Sequence, residues 1–174
     1  MKNLVILPTY NESKNIVKTI NLVLAQRDDI NILIIDDNSP DRTADIVKNL
    51  NNEKIFIIER ESKKGLGSAY VEGFSWALKN NYQRIIQMDA DLSHDPIEIN
   101  PMLDLLDSND LVIGSRYKGG LRVINWPIRR LYISYFANIY ARIITGVPVK
   151  DLTAGFKGWS KDSLEKINFH ECSS

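Results

Sequence analysis

Several things are scarce in this sequence, and each scarcity excludes something. Cysteine occurs once, at Cys172, so no intramolecular disulfide can form and a reducing compartment is expected. Histidine occurs only at His94 and His170, and neither joins a legible Ser/His/Asp or carboxylate–histidine pair. An excess of either charge is missing: 22 Lys and Arg balance 22 Asp and Glu, so nothing in the net charge favours nucleic acid or anionic lipid. Any phosphate chemistry must therefore rest on local clusters. No apolar run approaches the ~20 residues of a membrane span. The opening Met1-Lys-Asn-Leu-Val-Ile-Leu-Pro8 has too short an apolar part, and no small-residue cleavage site, for a signal peptide. Repeats, linkers and low-complexity tracts are also missing.

What is present is ordinary globular composition, 44% hydrophobic and 25% charged, on 174 residues, which suits one domain with a sizeable core. Short β-branched runs alternate with helical spacing. Leu4–Leu7, Ile32–Ile35, Ile55–Ile58, Ile85–Ile86 with Met88, and Leu111–Ile113 are apolar on both faces, as in parallel strands covered on both sides. Between them, helical spacing links Ile16, Ile20, Val23 and Leu24; then Ala44, Val47 and Leu50; then Ala69, Phe74, Ala77 and Leu78; then Ile99, Leu103 and Leu106. Asn11, Ser39 or Asp41, and Ser93 or Asp95 are cap-type residues near helix starts, with Pro96 suited to an early helical position. This alternation predicts right-handed crossovers in an α/β three-layer sandwich with a mostly parallel central sheet. A longer aromatic helical pattern, Ile128–Thr145, breaks the rhythm and carries Arg129, Arg130 and Arg142.

Open α/β sheets bind ligands at the carboxyl ends of their strands, and polar residues gather there. Strand one ends in Pro8-Thr-Tyr-Asn-Glu12, strand two in Asp36-Asp-Asn-Ser-Pro-Asp41, and strand three leads to Lys63-Lys-Gly-Leu-Gly67. Strand four ends in Asp89-Ala-Asp91 and strand five in Gly114-Ser-Arg116. Residues two apart in an extended chain face the same way, so Asp89 and Asp91 can approach one locus. Their repulsion is relieved by a hard divalent cation, Mg²⁺ or Mn²⁺, which keeps positions open for water and a substrate phosphate. A turn with solvated carboxylates is the plainer reading of Asp-x-Asp taken alone. His94 suits loop packing better than metal ligation. Gly65-Leu-Gly67 lacks the third glycine of a dinucleotide fingerprint, Tyr70 standing in its place. Close backbone approach, with Lys63 or Lys64 near a diphosphate, is the expectation there. Asp36 and Asp37 suit ribose hydroxyls or a base edge, while Asp41 competes as a helix-dipole charge. Arg116, Arg129 and Arg130 form a basic cluster suited to bidentate phosphate contacts. Trp126, Tyr132, Tyr135, Phe136 and Tyr140 interleave with them, which suits an interfacial helix or, equally, a packed one.

Six ordered blocks carry a resemblance covering nearly the whole chain: Pro8–Glu12, Asp36–Asp41, Lys64–Ala69, Met88–His94, Ile113–Tyr117 and Asp151–Phe156. In that order they resemble the family 2 glycosyltransferases of GT-A (Rossmann-like) fold, above all those that mannosylate dolichyl and other polyprenyl phosphates. The resemblance implies an inverting, metal-dependent transferase moving mannose from GDP-mannose to a polyprenyl phosphate. Its expected place is peripheral, on the cytosolic face of a membrane, with direct membrane contact or a small anchoring subunit. By the family pattern Pro8, Tyr10, Glu12, Ile35 and Asp37 line the nucleoside pocket, and Asp89, Ala90 and Asp91 hold metal and diphosphate, with Asp91 the direct metal ligand. Lys64 joins the nucleotide-sugar site. Arg116, Arg130 and Ser134 grip donor and acceptor phosphates. Ser93 stands where some relatives have a glutamine ligand, which leaves the protein share of the metal shell smaller. Family members usually continue through further strands and helices, so residues 1–174 are expected to be one catalytic domain, incomplete at its carboxyl end.

The chemistry implied needs charge neutralisation on a departing diphosphate and no strong base, because a phosphate monoester acceptor is already ionised. Rival readings are another sugar donor such as UDP-glucose, a non-catalytic membrane-associated module of the same fold, and a nucleotidyltransferase. The last is weakened by the lack of a glycine-rich triphosphate loop near the N-terminus.

Overall fold

The computed structural model of the protein describes residues 2–114, 154–167 and 169. The helical pattern Ile128–Thr145, with Arg116, Arg130 and Ser134, lies outside those residues, as do His170 and Cys172. All five expected strands form: β1 (Asn3–Thr9), β2 (Ile30–Asp36), β3 (Ile55–Glu59), β4 (Arg84–Gln87) and β5 (Leu111–Ile113). A sixth, β6 (Lys157–Ser160), was not anticipated. The helices are α1 (Ile16–Leu24), α2 (Thr43–Asn49), α3 (Leu66–Lys79), α4 (Ile99–Leu105) and α5 (Lys161–Lys166).

Among the described residues the strands form one six-stranded sheet in the order β3-β2-β1-β4-β6-β5. The first four are parallel, whereas β6 runs antiparallel between β4 and β5. Alternation along each strand divides the core. Val5, Leu7, Ile32, Ile34 and Ile86 point to the side of α1, α2 and α4, where Ile16, Ile20, Val47, Ile99 and Leu103 meet them. Leu4, Ile6, Leu33, Ile35 and Ile85 point to the opposite side and pack on Ala69, Phe74 and Ala77 of α3 and Leu164 of α5. Both faces of β1 and β2 are dry, which is why those strands show unbroken apolar runs.

Because the chain goes from β1 out to β2 and β3 and then returns across β1 to β4, the strand order reverses between β1 and β4. A crevice opens at the carboxyl ends of strands where the order reverses in this way. Helix starts differ in detail from expectation. Asp95 caps the 3-10 turn Pro96–Glu98 through the Ile97 amide, with Pro96 as its first residue. Asn15, not Asn11, precedes α1, and Arg42 precedes α2; neither supplies a side-chain cap. Asn11 and Arg42 instead take left-handed φ values of 63° and 65° that turn the two loops.

Helix α3 lies close to the sheet because residue 73 has no side chain: a Cβ at Gly73 would stand 2.8 Å from Ile6 Cγ2 and 2.9 Å from Ile35 Cδ1, both fully buried. Overpacking of this kind costs about 2 kcal/mol. Gly73→Val is therefore expected to lower the urea midpoint clearly, and an unchanged midpoint would mean that α3 rides higher on the sheet than described here.

Candidate active site

The carboxyl ends of β1, β2 and β4 converge on the crevice, and the loops there are braced against each other. Asp36, 1% exposed, accepts from the Thr9 hydroxyl (2.7 Å), the Ser39 hydroxyl (2.6 Å) and the Ser39 amide (2.8 Å). The next loop crossing is a ladder of side chains onto backbone. The amides of Asn11, Glu12 and Ser13 donate to Ser39 Oγ (3.0 Å), Thr43 Oγ1 (3.0 Å) and Asp41 Oδ2 (2.9 Å). Successive free amides make an anion cradle in many nucleotide-binding folds. Here those three are already satisfied from within the protein, so they offer no cradle to an anion.

Asp37 is nearly as buried as Asp36 but is closed differently. Its Oδ1 accepts from Arg60 Nη1 at 2.6 Å and its Oδ2 from the Gly65 amide at 3.0 Å. Gly65 is required by its φ of +91°, and a Cβ there would meet no protein atom within 4 Å. The close approach expected of this glycine is therefore not to the rest of the chain. Beside it, the exposed Lys63 places its ammonium 3.7 Å from the centre of the Tyr10 ring, itself 38% exposed. Lys64 is exposed on the same loop, and Pro8 is half-buried at the end of β1. The Ile35 side chain lies in the core beneath α3, not on the rim.

Strand β4 ends at Gln87, and the chain bends at Ala90–Leu92, with Leu92 at φ 64°. The two-residue alternation thus stops short of Asp91. The two carboxylates come to occupy different settings: Asp89 half-buried, Asp91 exposed and accepting from the Ser93 amide at 2.9 Å. Ala90 between them is buried, its carbonyl accepting from Thr19 Oγ1 at 2.9 Å. Around Asp89 the loop is closely held. The Tyr70 hydroxyl donates to its Oδ1 at 3.3 Å, and its amide donates to His94 Nδ1 at 3.0 Å. Neutral His94 then carries its proton on Nε2, 3.8 Å from Asp89 Oδ2, while its ring stacks on Phe156 at 5.1 Å. That is loop packing, as expected for this histidine. A Cβ on Gly155 would stand 3.2 Å from Asp89 Oδ2.

Burial and the negative charge of this rim act together on the groups beside it. Glu12 is pushed above the usual carboxylate range, first by burial and then by the charges of Asp91, Asp41 and Asp89, against the lowering effect of the Asn15 amide. Burial, and then the charge of Asp89, likewise push the Tyr70 hydroxyl up. Among the described residues no three His, Cys, Asp or Glu side chains converge to close a metal shell on their own. Two hard carboxylates, with the rest of the shell left to water and a diphosphate, still fit the way Mg²⁺ and Mn²⁺ are held in phosphate-transferring sites.

Two groups that hold this rim together were missed in the sequence: Arg60 and the hydroxyls of Thr9, Ser39, Thr43 and Tyr70. Arg60 stands two residues past the predicted strand Ile55–Ile58, so the rule that ligands gather at strand ends applied to it. It was hidden in the uniformly polar Glu59-Arg-Glu-Ser-Lys-Lys64.

The fold is the GT-A arrangement, and the chain belongs to glycosyl transferase family 2, whose pattern matches residues 4–168. Within it, the chain is 43% identical over 171 residues to polyprenol monophosphomannose synthase of Mycolicibacterium smegmatis, covering 96% of this chain and 64% of that protein. It is 36% identical over 170 residues to undecaprenyl-phosphate mannosyltransferase of Micrococcus luteus, covering 97% and 70%. Among solved structures, a mannosyltransferase from Pyrobaculum calidifontis in complex with GDP-Man and Mn²⁺ superposes with a TM-score of 0.63 at 18% identity, over 96% of this chain and 46% of that one, a likeness of fold. The chain thus spans about two thirds of the length of these curated relatives.

The loop brace has a pH signature. Burial would push Asp41 up, but hydrogen bonds from Thr43 and Ser13 outweigh it and hold the carboxyl at about 2, below its ordinary 3.8. A depressed folded-state value stabilises above the unfolded pKa, and that stability is lost as pH falls through the folded one. Asp41→Ala should therefore cost on the order of 1 kcal/mol at pH 6, after allowing for solvent screening. The gap from wild type should narrow between about pH 4 and pH 2, as followed by urea melts. A gap independent of pH would remove Asp41 from the brace.

Proposed function

We propose that this chain is the catalytic domain of an inverting glycosyltransferase that moves mannose from GDP-mannose to a polyprenyl phosphate, working peripherally at the cytosolic face of a membrane. The observation that carries the reading is the β1/β4 crevice, where Glu12, Asp89 and Asp91 concentrate negative charge in a chain of no net charge. The names of the two relatives, with their mannose and polyprenyl phosphates, support the substrate classes. GDP-Man and Mn²⁺ in a protein of the same fold support the donor and the ion. No helix among the described residues is long and apolar enough to cross a membrane, which is compatible with peripheral association.

In this reading Tyr10, Glu12 and Asp37, flanked by Pro8, form the nucleoside end, with Ile35 supporting it from the core, and Lys64 with Asp89, Ala90 and Asp91 form the diphosphate end. A divalent cation held by Asp89 and Asp91 would neutralise charge on the departing diphosphate. Lys63 and Lys64 add positive charge from the β3 side. Arg116, Arg130 and Ser134 are assigned to the donor and acceptor phosphates. The described residues Gly114 and Phe156 meet at the rim, the Gly114 amide donating to the Phe156 carbonyl at 2.9 Å. The acceptor phosphate attacks already ionised, so no strong general base is required. Attack opposite the diphosphate inverts the anomeric centre, and positioning supplies much of the acceleration.

The direct test is a transfer assay with GDP-mannose and UDP-glucose offered separately to polyprenyl phosphate, with Mn²⁺ or Mg²⁺. Mannosyl transfer is expected, and glucosyl transfer alone would reassign the donor. Asp91→Asn should abolish the Mn²⁺-dependent part of GDP binding in calorimetry while leaving the melting temperature near wild type. Unchanged affinity would sink the metal assignment.

A further inference from the structure

The Arg60 side chain is only 4% exposed, yet it meets four separate groups at the rim. Its amide extends the ladder beyond β3 by donating to the Asp36 carbonyl at 2.9 Å. Nη1 donates to Asp37 Oδ1 at 2.6 Å and reaches the Gly65 carbonyl at 3.4 Å, and Nη2 donates to Ser68 Oγ at 2.6 Å. Nε lies 3.3 Å from Glu72 Oε2, too poorly directed to count as a hydrogen bond. Asp37 closes the ring by accepting from the Gly65 amide.

One planar guanidinium therefore joins the end of β2, the end of β3 and the first turn of α3. The connection it closes carries Lys63 and Lys64, and Lys63 lies over the Tyr10 ring. Taking both ions of the Arg60–Asp37 pair out of water costs several kcal/mol, and an apolar pair of similar volume often holds a fold equally well. What an apolar pair cannot reproduce is the fixed fork, which sets the direction of a carboxylate and of a loop at once.

Building on the donor site described above, we propose that Arg60 is a positioning residue for the donor nucleotide: without touching it, Arg60 fixes the Asp37 carboxylate and the Lys63–Gly65 connection relative to Tyr10. The two ends of the nucleotide site, nucleoside and diphosphate, then share a single support. Arg60→Lys keeps the charge and loses the fork, so it separates geometry from charge, and it spares the unpaired buried Asp37 that Arg60→Met would leave.

GDP binding with Mn²⁺ is measured by calorimetry on the full chain, alongside thermal melting. Arg60→Lys is expected to bind GDP about tenfold more weakly with a melting temperature within a few degrees of wild type. Added to Lys64→Ala, it should cost less than the sum of the two single losses, because both act on one loop. A merely structural role predicts additive losses that shrink when binding is measured well below the melting range; that result, or unchanged affinity in Arg60→Lys, overturns the inference and leaves the donor site standing. A wild-type chain that binds no GDP at all overturns the donor site and this inference together.

Discussion

The carboxylate of Asp36 is the joint on which the rest of the rim depends. It is almost fully buried at the point where β1 and β2 stop pairing, and its two oxygens take three donors from Thr9 and Ser39. A buried acceptor left unsatisfied costs far more than a hydrogen bond contributes when made. Loop 37–42 is thereby held against the end of β1, and Ser39, Asp41 and Thr43 reach the amides of residues 11–13 only from that position. The left-handed conformations of Asn11, Asn38 and Arg42 persist inside this frame.

The frame sorts neighbouring carboxylates into different tasks. Asp36 is consumed by hydroxyls and an amide, Asp37 by a guanidinium and an amide, and Asp41 by a loop. Glu12, Asp89 and Asp91 are the acids left to face one another across the crevice, and the field they generate is felt at Glu12. Filling the β1 amides from within the protein has a related effect. In the proposed reading a diphosphate would find no cradle beside the first strand, which leaves Lys63, Lys64 and the acids beyond β4 as its place.

How much of this was legible varies with the physics behind it. The strands of the parallel core were visible because both of their faces are dry, so Leu4–Leu7 and Ile32–Ile35 show as unbroken apolar runs. Strand β6 was invisible: Lys157-Gly-Trp-Ser160 has no such run. Its Gly158 is there because a Cβ would stand 2.9 Å from Ile86 Cδ1 and 3.0 Å from Leu106 Cδ1. The gathering of acidic residues on one rim followed from their places at strand ends. The division of labour between Asp36 and Asp37 did not, since adjacent residues of one type differ only in the partners that the fold brings to them. Arg60 was hidden for the same reason, as one cation within a polar stretch whose burial is set by α3.

The antiparallel insertion of β6 also has a consequence for biosynthesis. Among the described residues β5 pairs only with β6, and β4 borders β6 on the side away from β1. Until residue 160 has left the ribosome, β4 remains an open edge and Leu111–Ile113 have no place in the sheet. Strands β1 to β4 have all their parallel partners much earlier. The nascent chain therefore passes through a stage with a four-stranded sheet, an unprotected flank, Asp89 without its neighbour Gly155 and His94 without Phe156. Exposed strand edges recruit other chains, so this flank is where a stalled or prematurely ended translation product would first become sticky.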